Sequence, residues 1–310
     1  MTGRLNRRKF LALAAIGAAG VGASGVMGCG SGNDPVVRLA SGEVGGFYHA
    51  FARLLASAAA DAGTVRIEPI TTSGSQDNLA MLARGEAEAG LALADSSRGA
   101  PGGVLALGRV YENYLQLAVR ADSDVRRVVE LRGKRVNLGA QGSGAALTGE
   151  RILLAAGLDP ATDVIVEHRP LRDAAAALRS GAVDALLWAG GVPTAALEVP
   201  LRMRLVDLDE LAAPLRQRYG HIYDRVEIPG DAYPGASAIQ TVGVANLLLA
   251  APALADEAAA AIVDLLVGRP NLLVPAEAAG TQFLDARSLI GTGPIPLHPG
   301  AAAAYRLRHG

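Results

Sequence analysis

The sequence predicts an α/β protein with two lobes. Short apolar segments alternate with amphipathic helical patterns, and most of the apolar segments end in turns rich in Gly and Ser. This alternation is typical of βαβ units, in which the strands are parallel. It runs up to Asp122 and begins again after it, and a chain of 310 residues is long enough for two hydrophobic cores. We therefore expect two similar lobes.

The first half contains three predicted strands and two predicted helices. A strand at 36–40 leads through a glycine-rich turn into a helix at about 47–61. A second strand at 65–70 is followed by a helix that ends near Gly85, and a third strand spans 89–94. In parallel sheets, ligands bind at the edge where the strands end, so the turns after these strands are candidates for the site.

The second half repeats this order. Strands are predicted at 136–138, 164–167 and 183–188, and they are separated by helices at 145–156 and 171–180. Each helix follows a strand after a short turn, as in the first half. The ends of these strands therefore belong to the same candidate edge.

The remaining residues are expected to return the chain to the first lobe. A long, mostly apolar segment at 239–250 is followed by helices at 254–267 and 301–308. The predicted lobe boundaries are 36–122 with 237–310 for lobe I and 123–236 for lobe II.

The segment from 131 to 157 carries the clearest chemical signal. A short strand enters a glycine-rich turn that contains Gln141, Gly142, Ser143 and Gly144, and the turn opens a helix. The first N–H groups of a helix have no partner within it and attract a small anion. Glycine allows a ligand to approach the backbone closely, and the hydroxyl of Ser143 can cap the helix or donate to an oxygen. We expect these four residues to bind the ligand.

Two common phosphate motifs do not fit this turn. A P-loop requires Lys and then Ser or Thr after the last glycine, but Gly144 is followed by Ala145. A dinucleotide fingerprint requires a glycine where Leu147 stands. Nucleotide cofactors are therefore not expected.

The N-terminus resembles an export signal. A twin-arginine pattern at 6–11 precedes a weakly hydrophobic run at 12–26 and a lipobox that ends at Cys29. We expect a signal peptide at 1–28, lipidation of the Cys29 thiol and a polar tether at 29–35. The alternative, a transmembrane anchor, fits less well because the run is short and rich in glycine.

Composition excludes several classes of function. Cys29 is the only cysteine, so neither a disulfide nor a cysteine metal site is expected, and the five histidines are isolated from one another. The formal net charge is −1 and no basic stripe with interleaved aromatic residues occurs, so nucleic acid is not an expected partner. The nearest approach to a nucleophile elbow, at 142–144, lacks the required spacing. We therefore expect no enzyme activity, metal or cofactor.

Seven short motifs, in order along the chain, resemble the TAXI family of solute receptors of TRAP transporters. They lie at 41–48, 72–79, 85–95, 131–144, 181–185, 228–235 and 297–301. The resemblance implies a two-lobed, type 2 periplasmic-binding-protein fold with the ligand cleft between the lobes.

The same resemblance implies a function. A receptor of this family closes on a small organic acid or amino acid, of the glutamate or 2-oxoglutarate class, and delivers it to a TRAP-type membrane permease. The protein would act outside the cytoplasm, held to the outer face of the membrane by a lipid on Cys29. Three residues depart from the family pattern: Glu43, Val44 and His49. A lipoprotein that signals to a membrane sensor has the same binding physics and stays open as the alternative.

The candidate ligand-binding residues come from the turns after predicted strands. They are Gly45, Gly46, Phe47, Tyr48, His49, Ser75, Asn78, Asp95, Gln141, Gly142, Ser143, Gly144 and Trp188. The hydroxyl of Tyr48 is expected on a ligand carboxylate, and Asp95 on a ligand amine. Arginine often clamps carboxylates, but the sequence does not choose among Arg98, Arg109 and Arg169.

Overall fold

The computed structural model describes residues 36–194, 197, 203–275 and 284–309. The predicted signal peptide, the lipidation site at Cys29 and the tether at 29–35 lie outside the described residues.

The described part contains ten strands. They are β1 (Val36–Ala40), β2 (Arg66–Ile70), β3 (Ala89–Leu93), β4 (Leu105–Arg120), β5 (Arg135–Asn137), β6 (Ile165–Glu167), β7 (Ala185–Gly190), β8 (Met203–Val206), β9 (Tyr223–Ile228) and β10 (Ile239–Ala250).

Nine α-helices lie between and after these strands in the described ranges. They are α1 (Phe47–Ala62), α2 (Ser75–Arg84), α3 (Ala94–Ser97), α4 (Gly144–Ala155), α5 (Leu171–Ser180), α6 (Asp209–Tyr219), α7 (Asp256–Gly268), α8 (Ala286–Leu289) and α9 (Pro299–His309). Helices α1, α2 and α5 end at Gly63, Gly85 and Gly181, which adopt the left-handed conformation that glycine favours.

All ten strands belong to one sheet. Eight follow the order β2-β1-β3-β10-β4-β7-β5-β6, with β8 paired to β4 and β9 paired to β10. Strand β1 runs parallel to β2 and β3, and β5 runs parallel to β6 and β7. The central strands β4 and β10 are antiparallel to each other and to their other neighbours. Two parallel βαβ groups are therefore joined through a pair of long antiparallel strands.

Strands β4 and β10 connect two hydrophobic cores. The first core contains Leu107 and Tyr111 of β4 and Leu248 of β10. The second contains Leu115 of β4 and Val244 of β10. Each long strand therefore passes from one core into the other within its own length. The lobe boundaries predicted near 122 and 237 lie close to the outer ends of these strands and stay a prediction.

The predicted α/β class with two lobes is confirmed. The segment at 239–250 forms β10 with the predicted bounds. Six elements were not predicted: β4, β8, β9, α3, α6 and α8. Strand β4 was missed because Arg109, Glu112, Asn113 and Gln116 interrupt its apolar pattern.

Within the described ranges, no helix has the length and apolar character needed to cross a membrane.

Candidate ligand-binding site

A cavity of about 50 Å³ lies where helices α1, α2 and α4 begin, beside β4 and β7. Its volume is several times the space that one water molecule needs. The walls come from turns after strands and from the middle of the sheet, as the topology requires. The lining residues are Gly42, Glu43, Gly46, Phe47, Tyr48, Ser73, Gly74, Ser75, Leu93, Asn113, Ser143, Gly144, Ala145, Trp188 and Ala189.

The turn between β1 and α1 brings backbone to the cavity edge. Gly45 has a φ of 86°, a left-handed conformation that favours glycine. Gly46 is the N-cap of α1, and no side chain caps this helix. The first N–H groups of α1 therefore lie at the cavity without a capping side chain.

Tyr48 and Ser75 form a hydroxyl pair at the cavity. Their oxygens are 3.2 Å apart, and the Tyr48 hydroxyl also donates to Oδ1 of Asn246. Ser75 Oγ accepts from the N–H of Leu93 at 3.0 Å. Burial raises the pKa of Tyr48, so its phenol stays neutral at physiological pH. The two side chains are therefore positioned as neutral hydrogen-bonding groups.

The starts of α2 and α4 face each other across the cavity. Gly74, the N-cap of α2, has a φ of 122°, and α2 has no side-chain cap. Ser143 caps α4 by accepting from the N–H of Ala146 at 3.1 Å. A Cβ on Gly144 would lie 2.5 Å from Oγ of Ser75, so only glycine permits this approach. The positive ends of two helix dipoles meet here, and this favours an anion.

Direct hydrogen bonds join the segments on the two sides of the cavity. The carbonyl of Gly142 accepts from the N–H groups of Gln76 and Asp77, at 3.0 and 3.3 Å. The N–H of Leu171, at the start of α5, donates to Oε2 of Glu43 at 3.2 Å. These bonds link residues of predicted lobe I to residues of predicted lobe II, so the two predicted lobes are in direct contact beside the cavity.

Apolar side chains complete the cavity. Phe47 and Leu93 are buried, and Trp188 is partly buried at the end of β7. The Trp188 indole packs closely against Gly190, where a Cβ would overlap it. Apolar walls lower the local dielectric and strengthen each polar contact made inside.

Eight lining residues were not among the candidates, and Glu43 and Asn113 are the two of these that have an unused polar atom. Glu43 was noted only as a departure from a family pattern, and Asn113 lies on the unpredicted strand β4. Their side-chain oxygens Oε1 of Glu43 and Oδ1 of Asn113 are buried and have no hydrogen-bond partner in the described part of the chain. A polar residue that interrupts an apolar segment was the available signal for Asn113.

Asp95 was predicted to contact the ligand, but the structure places it in a separate buried network. Its Oδ2 accepts from the hydroxyls of Thr148 and Tyr223, at 2.7 and 2.8 Å, and lies 3.5 Å from the guanidinium of Arg151. Asp95 is 1% exposed and does not line the cavity. It therefore connects α3 with α4 and β9.

Asn78 was also expected at the ligand, and the structure places it beneath the cavity. Its amide nitrogen donates to the carbonyls of Ser41 and Leu91, at 2.5 and 2.6 Å. Its Oδ1 accepts from the hydroxyl of Thr72 at 2.6 Å. These bonds hold the turn before α2 against the ends of β1 and β3, so the side chain has a structural role here.

Seven of the thirteen candidates line the cavity, namely Gly46, Phe47, Tyr48, Ser75, Ser143, Gly144 and Trp188. Six do not, namely Gly45, His49, Asn78, Asp95, Gln141 and Gly142. Gly45 lines a larger open pocket next to the cavity, Gln141 is exposed, and Gly142 makes the closing contact described above. Ligand contact by any of these residues stays a prediction.

None of the three arginines considered lines the cavity. Arg98 donates to the carbonyl of Tyr219 at 2.6 Å, Arg109 pairs with Glu112, and Arg169 pairs with Glu167. Carboxylate binding in this cavity would therefore depend on backbone N–H and hydroxyl donors.

Known structures share this fold. A protein from Bordetella bronchiseptica RB50 matches with a TM-score of 0.56 and 15% identity, over 89% of this chain and 99% of that one. A structure described as a periplasmic transporter matches with a TM-score of 0.52 and 14% identity, over 78% and 86% of the two chains. A protein from Xanthomonas citri, solved bound to ATP, matches with a TM-score of 0.50 and 13% identity, over 89% and 99%.

These likenesses confirm the fold that the sequence predicted, that of two-lobed periplasmic substrate-binding proteins. A family profile described as the NMT1-like family matches residues 39–306, which include all the cavity-lining residues. The description of this profile does not name TAXI receptors, so that assignment stays a prediction. The chain belongs to the NMT1-like family.

Proposed function

We propose that this protein is an extracytoplasmic solute receptor that captures a small organic acid or amino acid. The observation that carries the proposal is the meeting of three helix N-termini at one small cavity that has both apolar and polar walls. The two-lobed fold and the family agree with a binding protein.

A carboxylate suits the donors that this cavity offers. The starts of α1 and α4 supply N–H groups. At the start of α2, the N–H groups of Gln76 and Asp77 already donate to Gly142, and the helix contributes the positive end of its dipole. Tyr48 and Ser75 add hydroxyls that can donate to an oxygen or accept from a donor. Together these groups would replace the hydration shell of a carboxylate inside a low-dielectric cavity.

Closure of the two lobes would supply the affinity. The contacts between Gly142 and the start of α2, and between Glu43 and the start of α5, hold the cavity shut. A ligand that touches both sides adds to these contacts only in the closed state, and so it shifts the population toward closure.

Delivery to a TRAP-type membrane permease is the finer part of the proposal. It rests on the motifs that resemble TAXI receptors and on the predicted export signal with lipidation at Cys29. The lipid would hold the receptor at the outer face of the membrane, where released ligand reaches the permease.

The test is a thermal-shift screen of the protein without its predicted signal peptide, freed of any copurified ligand. The panel contains glutamate, glutamine, alanine, 2-oxoglutarate, pyruvate and C4 dicarboxylates. A ligand at about a thousand times its Kd stabilises the folded state by about 4 kcal/mol and raises the Tm by several degrees. A shift confined to one chemical class supports the receptor. No shift with any compound would contradict an acid-binding function.

Variants identify the cavity as the binding site. Ser75→Ala should weaken ligand binding, because it removes a hydroxyl that lines the cavity. Ser57→Ala is the matched control, because this serine of α1 is exposed and lies outside the cavity. Equal affinity in both variants would place the ligand elsewhere.

A further inference from the structure

We propose that Glu43 and Asn113 form an ammonium subsite, so that the solute of this cavity carries a protonated amine as well as a carboxylate. This inference rests on the proposed receptor function and narrows its substrate class to amino acids. Each of these side chains has a buried oxygen without a hydrogen-bond partner in the described part of the chain, and none of the lining residues has a cationic side chain.

Asn113 presents one unused acceptor to the cavity. The residue is 4% exposed, and its amide nitrogen is anchored to the carbonyl of Ala189 at 3.1 Å. This bond fixes the orientation of the amide and leaves Oδ1 without a partner in the described chain. A buried oxygen without a partner destabilises the folded state, and a ligand donor would remove that cost.

Glu43 presents a second acceptor and the only charged side chain among the lining residues. One carboxylate oxygen, Oε2, accepts from the N–H of Leu171. The other, Oε1, is buried and has no partner in the described part of the molecule. A carboxylate with one oxygen fixed by a helix start and one unused is well suited to receive a charged N–H donor.

The two kinds of group in the cavity match the two ends of an amino acid. Helix starts and hydroxyls offer donors to a carboxylate, and Glu43 and Asn113 offer acceptors to an ammonium group. A 2-oxo acid has a carbonyl oxygen in place of the amine. That oxygen cannot donate, so both acceptors would stay unpaired and the cavity would discriminate against it.

The experiment compares ligands that differ only at this group. Wild-type protein, freed of copurified ligand, is titrated by calorimetry with alanine and pyruvate, with glutamate and 2-oxoglutarate, and with the N-acetylated amino acids. We expect the amino acid of at least one pair to bind tenfold or more tightly than its 2-oxo partner. N-acetylation, which removes the positive charge, should abolish binding of that amino acid.

Two variants assign the preference to the subsite. Glu43→Gln keeps an oxygen for the N–H of Leu171 but replaces the charged acceptor, and we expect amino acid affinity to fall tenfold or more. Asn113→Ala should act in the same direction. Glu86→Gln is the control, because Glu86 is an exposed glutamate paired with Arg84. Circular dichroism and Tm show that each variant is folded.

The outcomes separate this inference from the receptor function. A 2-oxo acid or dicarboxylate that binds as tightly as the matching amino acid would overturn the ammonium subsite and leave the receptor intact. Unchanged amino acid affinity in folded Glu43→Gln and Asn113→Ala would also overturn it. If no compound binds, the receptor proposal fails, and the subsite fails with it.

Discussion

Two buried asparagines near the cavity differ in how their hydrogen-bonding groups are used. Both donors of Asn78 and its oxygen are engaged by Ser41, Leu91 and Thr72. Asn113 has an engaged nitrogen and an unused oxygen. Residue type alone does not distinguish these roles, because the amide of Asn78 stabilises a turn, whereas the amide of Asn113 lines the cavity.

This difference predicts opposite effects of truncation. Asn78→Ala should lower the free energy of unfolding by about 3 kcal/mol, because it leaves several buried polar groups without partners. Asn113→Ala should destabilise less, and its main effect should be on ligand affinity. Urea unfolding and calorimetric titration of both variants measure this. A larger stability loss in Asn113→Ala than in Asn78→Ala would contradict the assignment.

Tyr48 combines a packing role with a polar one. Its ring makes an edge contact with Tyr111, at 6.2 Å between centroids, and its hydroxyl donates to Asn246. Tyr48→Phe keeps the ring but leaves Oδ1 of Asn246 without this donor. We expect a loss of about 1 to 2 kcal/mol in the free energy of unfolding and weaker ligand binding. Unchanged affinity, measured by calorimetry, would remove the hydroxyl from the site.

Glu43 gives the protein a specific dependence of stability on pH. Burial raises its pKa above the ordinary value. The folded state therefore binds the proton of Glu43 more tightly than the unfolded chain does. Proton binding at Glu43 contributes fully to the free energy of unfolding below about pH 4.3, and this contribution is lost as the pH rises through the folded pKa. As the pH rises from about 4.3 through the folded pKa of Glu43, the stability of Glu43→Gln relative to wild type should therefore increase.

Urea unfolding between pH 4 and pH 7 measures this difference. Glu86→Gln is again the control, because the hydrogen bond from Arg84 lowers the pKa of Glu86. The difference in free energy of unfolding between Glu86→Gln and wild type should change with pH in the opposite direction or not at all. A Glu43→Gln curve parallel to that of wild type would contradict the raised pKa.

At the scale of elements, helix starts form the site. Helix α4 approaches α2 so closely that a Cβ on Gly144 would lie 2.5 Å from Oγ of Ser75 and 2.7 Å from Cδ1 of Leu93. The contact lies across the cavity, between predicted lobes I and II. Glycine at this position therefore allows closure as well as exposing backbone N–H groups.

This close approach predicts a defect in closure. Gly144→Ala should weaken ligand binding tenfold or more, because the closed arrangement has no room for the added methyl group. Gly268→Ala, at the end of α7, is the control, because a Cβ there would meet only Arg308 at 3.9 Å. Calorimetry on both variants makes the comparison, and equal affinities would show that the site binds without this close contact.

At the scale of the whole molecule, strands β4 and β10 connect the two cores. Residues of the two predicted lobes are in contact at Glu43, at Gly142 and at the buried carboxylate of Asp95. We expect loss of these three contacts to open the cavity while both cores stay intact, with the two long strands as the hinge.

Small-angle X-ray scattering tests this motion. We expect the radius of gyration to decrease when the screened ligand is added to ligand-free protein, because binding favours the closed arrangement. Gly144→Ala should show a smaller decrease at the same ligand concentration. An unchanged radius in wild-type protein saturated with ligand would contradict lobe closure.

The sequence by itself determined the α/β class, the two lobes and most elements. The strand at 36–40 is a short, mostly apolar segment, and helix ends such as Gly85 carry a glycine, so local pattern suffices for them. It also placed Tyr48, Ser75 and Ser143 in turns after strands, where the cavity lies. These features depend on neighbours in the chain.

Only the tertiary structure decided which polar side chains face the cavity. Asp95 and Asn78 stand at strand ends and helix starts like the lining residues, yet distant partners, Tyr223 for one and Leu91 for the other, use their hydrogen-bonding groups. Asn113 and Glu43 reach the cavity because β4 and the first turn meet there in space. Whether a polar side chain is buried, and whether its hydrogen-bonding groups find partners, depends on contacts between residues far apart in sequence. The local sequence pattern does not show these contacts.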